Sequence, residues 1–241
     1  MELQLYNLSL LIVGMLNLSM ALGLLVNNYA YRHYPVYYRS RMLTMVFYTV
    51  FGIGLLLHWH FQWRLSFPLL ATALSVSYFH ISGVAITWSH TSLLNPRYIC
   101  RKVVLRDVAF LVVGLTSYWV AATCFSLSVL NCTLLIFLVH AMWMTVDFYT
   151  TYYRVSRRLI AMKQGSVEGF MRWMLRSCHF IIAFGIGSIV FTSLFPIDVW
   201  PYSVLLIVSC FVFVYIYYSI SEYGTVIDSA TNATEDAASS D

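Results

Sequence analysis

The sequence predicts an all-α membrane protein, a bundle of seven transmembrane helices with its N-terminus outside and its C-terminus in the cytoplasm. Three observations predict it. Of 241 residues, 60% are hydrophobic and only 10% charged, where a soluble domain carries about 25% charged residues to keep its surface wet. Seven apolar stretches each reach the roughly 20 residues that a helix needs to cross a hydrocarbon core about 30 Å thick. The basic residues gather in alternate connections.

The spans fall at about 6–29, 42–60, 67–92, 108–127, 130–152, 175–195 and 202–220, together forming one domain over 1–224. The first is expected to be a span rather than a cleaved leader. Met1-Glu2-Leu3-Gln4 has no basic head, and the apolar run Leu8 to Val26 is longer than a signal-peptide core. Helices are expected because lipid leaves unpaired backbone groups intolerable, and the runs lack the dyad alternation of a membrane barrel. Pro35, Pro68, Pro96, Pro196 and Pro201 all fall at span ends or in connections, so no span is broken as in many transporters. Trp59, Trp63 and Trp200 at outer ends read as interfacial anchors. Trp88, Trp173, Tyr29, Tyr31, Tyr34, Tyr37, Tyr38, Tyr152 and Tyr153 at inner ends read the same way.

The orientation comes from charge. Arg32, Arg39 and Arg41 lie in 30–41, Arg97, Arg101, Lys102 and Arg106 in 94–107, and Arg154, Arg157, Arg158, Lys163, Arg172 and Arg176 in 151–176. Of the 14 basic residues only Arg64 lies elsewhere. The positive-inside rule puts those three connections in the cytoplasm. In the longest of them, Val155, Leu159, Ile160 and Met162 interleave with Arg154, Arg157, Arg158 and Lys163. The fifth helix is therefore expected to continue as a basic amphipathic stretch touching anionic lipid or a cytoplasmic partner. Gly165 then breaks it, and Ser166 is placed to cap the next helix. The stretch 225–241 is small, polar and acidic, and reads as a disordered tail or linker.

Polar groups at membrane depth are the functional candidates. His80 in the third span and His140 in the fifth both sit about 15 Å from the outer ends, at mid-membrane. They are read either as bonding each other or a ligand, or as satisfying hydroxyls and carbonyls of neighbouring helices. Asp147, two turns after His140, reads as the only acid well within a span, to be paired with His90, His179 or a basic residue. His80, His140, Asp147 and His90 form the candidate ligand or signal site. His58 and His60 point roughly 200° apart on a helix, a poor basis for a shared metal. Cys124 and Cys132 flank a short outer connection, where packing thiols or a disulfide are the alternatives.

No metal, cofactor or catalytic residue is expected. The seventh span lacks a lysine for a Schiff base, and no phosphate loop, zinc-protease helix or nucleophile elbow occurs. The class expected is a non-enzymatic sensor. The rivals are a small-solute transporter or channel and a haem-binding redox protein.

The runs Ser77-Tyr78-Phe79-His80-Ile81-Ser82, Trp88-Ser89-His90-Thr91-Ser92-Leu93-Leu94 and Arg97-Tyr98-Ile99-Cys100-Arg101-Lys102 resemble a known family over 1–224. It is the N-terminal multi-pass membrane sensor module of Bacteroidetes regulators that end in an AraC-type helix-turn-helix or a histidine-kinase domain. The resemblance implies a bacterial inner-membrane sensor whose partners are the bilayer, an output domain in cis or trans and, in some settings, a second copy. It implies no direct nucleic-acid contact from this segment.

Overall fold

The computed structural model describes residues 2–124, 126–161, 165–195 and 198–227, and the side chains of 165–170, 192, 193 and 226 lie outside that description. Among the described residues there is no strand. Seven long helices, α1 (Glu2–Val26), α2 (Pro35–Phe61), α4 (Pro68–Leu94), α5 (Arg101–Cys124), α6 (Leu127–Ala161), α7 (Gly165–Leu194) and α8 (Trp200–Tyr223), are joined by short links, one of which holds the single-turn α3 (Trp63–Ser66). All seven are long and apolar enough to cross a membrane. This is a multi-pass membrane protein, a seven-helix bundle.

Local chemistry sets the ends. Pro35 and Pro68 open α2 and α4 and Pro201 is the second residue of α8, all within the first turn, where a missing N–H costs nothing. Gln62 closes α2 in the left-handed conformation (φ 53°), which turns the chain into α3. The helices extend the expected spans chiefly at the basic end, although α1 and α5 each stop three residues short of the expected last residue, and α6, with 35 residues, reaches about 52 Å. The helix runs past the expected end of the fifth span to Ala161. Tyr152, Val155 and Leu159 face the core while Arg154 and Arg157 point outward. Lys163, Met162 and most of the tail (228–241) lie outside the described residues, as does the side chain of Ser166. The expected linker start is displaced: 224–226 form one more helical turn, and Ile227 is buried.

Helix α4 is the axial element, packed on α2, α5, α6 and α7, while α8 bridges α1 and α7. The α1–α2 crossing is close because glycines face each other. A Cβ on Gly52 would meet Leu18 at 2.8 Å and the Gly14 carbonyl at 3.0 Å, the small-residue contact that lets membrane helices approach. Polar contacts fasten α2 to α4, with the Ser89 hydroxyl 2.7 Å from Ser40 Oγ and 2.8 Å from Thr44 Oγ1.

The helix ends that flank the three arginine-bearing connections and the C-terminal end of α8 lie at one end of the bundle, called here the basic end. Several residues read as topogenic charges or interface anchors are instead internal. Arg41 is buried, its guanidinium over the Tyr31 ring at 4.8 Å and bonded to Asn28 and Tyr37. Tyr37, Tyr152 and Trp173 are buried too. At the opposite end Arg64 is buried over the Tyr202 ring at 4.0 Å and bonds Ser75, which also meets His58. Cys124 and Cys132 are free, exposed thiols, neither packed nor bridged.

Candidate functional site

His80 on α4 and His140 on α6 meet in the interior, both fully buried, with His80 Nε2 2.8 Å from His140 Nδ1. The equal depth read from the sequence thus becomes direct contact. The pair belongs to a longer chain. Tyr118 Oη on α5 lies 3.1 Å from His80 Nδ1. His140 Nε2 lies 3.0 Å from Asp107 Oδ1 on α5. Asp107 also accepts from Arg106 Nε at 2.6 Å and from Trp88 Nε1 at 2.6 Å. Arg106 then reaches Asp147 at 2.6 Å, and Tyr98 donates to the same carboxylate at 3.4 Å.

Asp107 is the residue that sequence reading missed, and its burial corrects the statement that Asp147 is the only acid within a span. The expected fourth span begins at about 108, which leaves Asp107 in the basic connection. In the structure α5 begins at Arg101, and Asp107 is fully buried. The signal available was its place two turns into a continuous apolar helix, directly after an arginine. Asp147 finds its partner in Arg106, not in His90 or His179. His179 lies exposed against Tyr149. Trp88, read as an interface anchor, is a hydrogen-bond donor to the site.

If Asp107 is a carboxylate it can only accept, and this orders every proton in the chain. His140 must carry its hydrogen on Nε2, leaving Nδ1 to accept from His80 Nε2–H. His80 Nδ1 then accepts from the Tyr118 hydroxyl. All donors point toward Asp107. A proton added to the histidine pair would reverse two of the bonds, since His140 Nδ1–H would donate to His80 and His80 Nδ1–H to Tyr118, while His140 Nε2–H would still donate to Asp107. The segment from His140 to Tyr118 therefore has two arrangements of opposite polarity, which differ by one proton.

The packing around it is tight on one side. A Cβ on Gly114 would meet Tyr118 Oη at 2.8 Å and the His80 ring at 3.0 Å, so glycine lets α5 close on the pair. Phe110 stacks on His140 with centroids 4.5 Å apart. Beyond Tyr118, toward the end opposite the basic loops, lies an apolar cluster of Ala73, Val76, Ala121, Leu130, Leu134 and Phe137. The polar chain thus runs from mid-bundle to the basic end and stops at an apolar plug on the other side.

His90 is not part of this chain. It sits at one end of a separate cavity of about 400 Å³ between α4, α6 and α7, lined almost entirely by apolar side chains. Phe137 lines that cavity and also meets the His80 ring edge-on at 5.3 Å. Arg154, Arg157 and Arg158 lie beside Tyr149 and Tyr153 along the outer stretch of α6, forming a shallow basic groove. Among the described residues no cluster of three metal-ligating side chains is present. Comparison of the chain with protein-family models, with curated proteins and with solved structures finds no match.

Proposed function

We propose that this protein is a membrane sensor and signal-transduction module with no catalytic activity of its own. It is oriented with the basic end in the cytoplasm, as in a bacterial inner membrane, and acts on a DNA-binding or kinase output in cis or trans. The observation that carries the reading is the buried chain from Tyr118 through His80, His140 and Asp107 to Arg106 and Asp147. It joins three helices and has two polarised states, the property a switch needs. It opens toward the basic end alone, where an output would sit. The Arg154–Arg158 groove, at the same end, suits anionic lipid or an acidic partner surface.

The test reads the far end of α6 while the middle is changed. Arg157→Cys, carrying a trifluoromethyl tag in a background with Cys100, Cys124 and Cys132 replaced by serine, is placed in nanodiscs for fluorine NMR. Position 157 lies about 25 Å along α6 from His140. His80→Ala and His140→Ala should each change the ratio of tag resonances. Identical spectra from folded variants would sink the sensor reading.

A proton-coupled transporter is the second reading, favoured by Asp107, which gives the histidine pair a buried acid to exchange with. The apolar plug beyond Tyr118 counts against it, because a through-path would have to cross that layer. Proton flux into liposomes, abolished by Asp107→Asn, would reverse the ranking. A haem reading is weaker. Two nitrogens on one metal each need a bond of about 2.0 Å to it, and the facing nitrogens at 2.8 Å are already spent on each other.

A further inference from the structure

The cavity between α4, α6 and α7 is open to the bilayer rather than to either end of the bundle. Its rim includes Met142 on α6 and Ile186 on α7, which are 69% and 54% exposed on the lipid-facing surface. It is elongated. Phe79 and His90 both line it, and eleven residues of helix separate them by about 16 Å.

The space is also held open by residues that need not be there. Gly14, Gly52, Gly54 and Gly114 each lie where an added Cβ would press on a neighbouring helix. The two cavity glycines differ. At Gly185 a Cβ would meet nothing within 4 Å, and at Gly83 it would meet Met144 Cε at 4.0 Å. Glycine is a poorer helix former than alanine, and an empty apolar void is itself destabilising. Nothing in the packing of this bundle requires either glycine, so the volume they leave reads as room for a guest.

The end near the basic loops supplies the polar contact. His90 Nδ1 lies 3.1 Å from the Ile86 carbonyl, which can only accept, so Nδ1 carries the hydrogen and Nε2 presents a bare lone pair. That Nε2 is buried without a partner. Trp173, whose ring meets His90 with centroids 5.0 Å apart, has a buried indole N–H that is also unpartnered. One orphan accepts and the other donates. A hydroxyl is the neutral group that can serve either, and His90, which lines the cavity while Trp173 stands against its ring, is the one a guest meets, with the hydroxyl donating to Nε2.

We infer that the cavity binds a long-chain lipid alcohol that enters from the bilayer between α6 and α7. Its chain lies along Phe79 and Phe137, and its hydroxyl donates to His90 Nε2 at the end near the basic loops. This deepens the sensor reading by naming what is sensed, and rests on that reading only for the consequence. Phe137, against both the chain and His80, is the contact through which occupancy reaches the histidine pair.

The test uses photo-crosslinking of the full chain in liposomes with diazirine-bearing hexadecanol, with a matched diazirine-bearing hexadecane as the control. Adducts from the alcohol are expected on the α4, α6 and α7 peptides that carry Gly83, Ala141 and Ile189, and unlabelled hexadecanol should remove them. His90→Phe should weaken the alcohol about tenfold, the worth of roughly one hydrogen bond. Gly83→Leu with Gly185→Leu should abolish cavity adducts while the thermal midpoint stays at or above that of the parent. Three results would each overturn the proposal: adducts confined to lipid-facing positions such as Leu22 and Phe211, equal cavity labelling by the alkane, or undiminished labelling in the filled variant. Cavity labelling by the alcohol together with an unresponsive fluorine tag at 157 would uphold the site and defeat the sensor reading alone.

Discussion

Asp107→Asn is the sharpest perturbation of the polar chain, because it keeps the shape and removes one acceptor. The carboxylate receives Arg106 Nε and His140 Nε2 on Oδ1 and Trp88 Nε1 on Oδ2. An asparagine has one accepting oxygen and one donating amide. With the oxygen toward Arg106 and His140, the amide faces the Trp88 N–H, donor against donor. With the amide turned the other way, His140 can change tautomer to accept, but Arg106 cannot. Either orientation strands a donor and deletes a charge-assisted bond. Such bonds are worth about 1.5–3 kcal/mol, and interhelical polar contacts in membranes average nearer 0.6 kcal/mol. Arg106 keeps Asp147 and some solvent, so the expected loss is about 2–4 kcal/mol. Asp147, 26% exposed on its side chain, is screened, and Asp147→Asn should cost about 0.5–1 kcal/mol. Reversible unfolding in lipid–detergent micelles measures both. The reasoning fails if Asp107→Asn costs under about 0.5 kcal/mol, or if the two variants cost the same.

Other consequences follow from single contacts. Gly114→Ala pushes a methyl onto Tyr118 Oη and His80; a loss of about 1–3 kcal/mol and altered histidine nitrogen shifts are expected, and unchanged nitrogen spectra would show that α5 does not clamp the pair. The exposed Cys100 thiol, at the start of α5, is held below its ordinary value, chiefly by the Val103 backbone N–H. It should therefore be more thiolate at neutral pH than an ordinary exposed thiol. In detergent a maleimide should label it faster than it labels a simple alkyl thiol, and the ratio should close toward one as pH rises above the ordinary thiol value. With the proposed orientation, labelling of Cys100 in intact cells should need the reagent to reach the cytoplasm, and rapid labelling from outside by a membrane-impermeant maleimide would reverse the topology.

The fold was legible because hydropathy in a membrane chain reports the solvent directly. Seven runs of spanning length leave helices as the only way to satisfy the backbone. The site was half legible. His80 and His140 stand out as polar residues at one depth, and depth is a quantity that counting along a helix delivers. Asp107, Arg106 and Trp88 were read by their position at a charged boundary, where loop charges, anchors and buried partners share one composition. The difference among them is rotation about the helix axis. Asp107 faces α4 and α6 whereas Leu105, 69% exposed, faces lipid. Hydropathy cannot separate such faces when both are surrounded by apolar residues. The same blindness hid Arg41 and Arg64, cations that aromatic rings cover inside the bundle.

Helix α6 connects the parts that any signal must join. One face carries His140 into the polar chain, and another carries Ala141, Met144 and Phe148 onto the apolar cavity. Phe137 touches both. A guest that shifts α6 relative to α4 by a fraction of an ångström would act on a hydrogen bond of 2.8 Å, and hydrogen bonds weaken steeply with distance and misalignment. The histidine pair reaches its second arrangement by taking up a proton, so a shift that weakens the first arrangement would change the balance between the two. Because α6 runs on without a break to Ala161, a rotation at the histidines is delivered to Arg154 and Arg157 with little loss. With 35 residues α6 exceeds the roughly 20 that a crossing needs, and under the proposed sensor reading that extra length would serve as the lever read from the basic end. That asymmetry, more than the histidines alone, is why signalling ranks above transport.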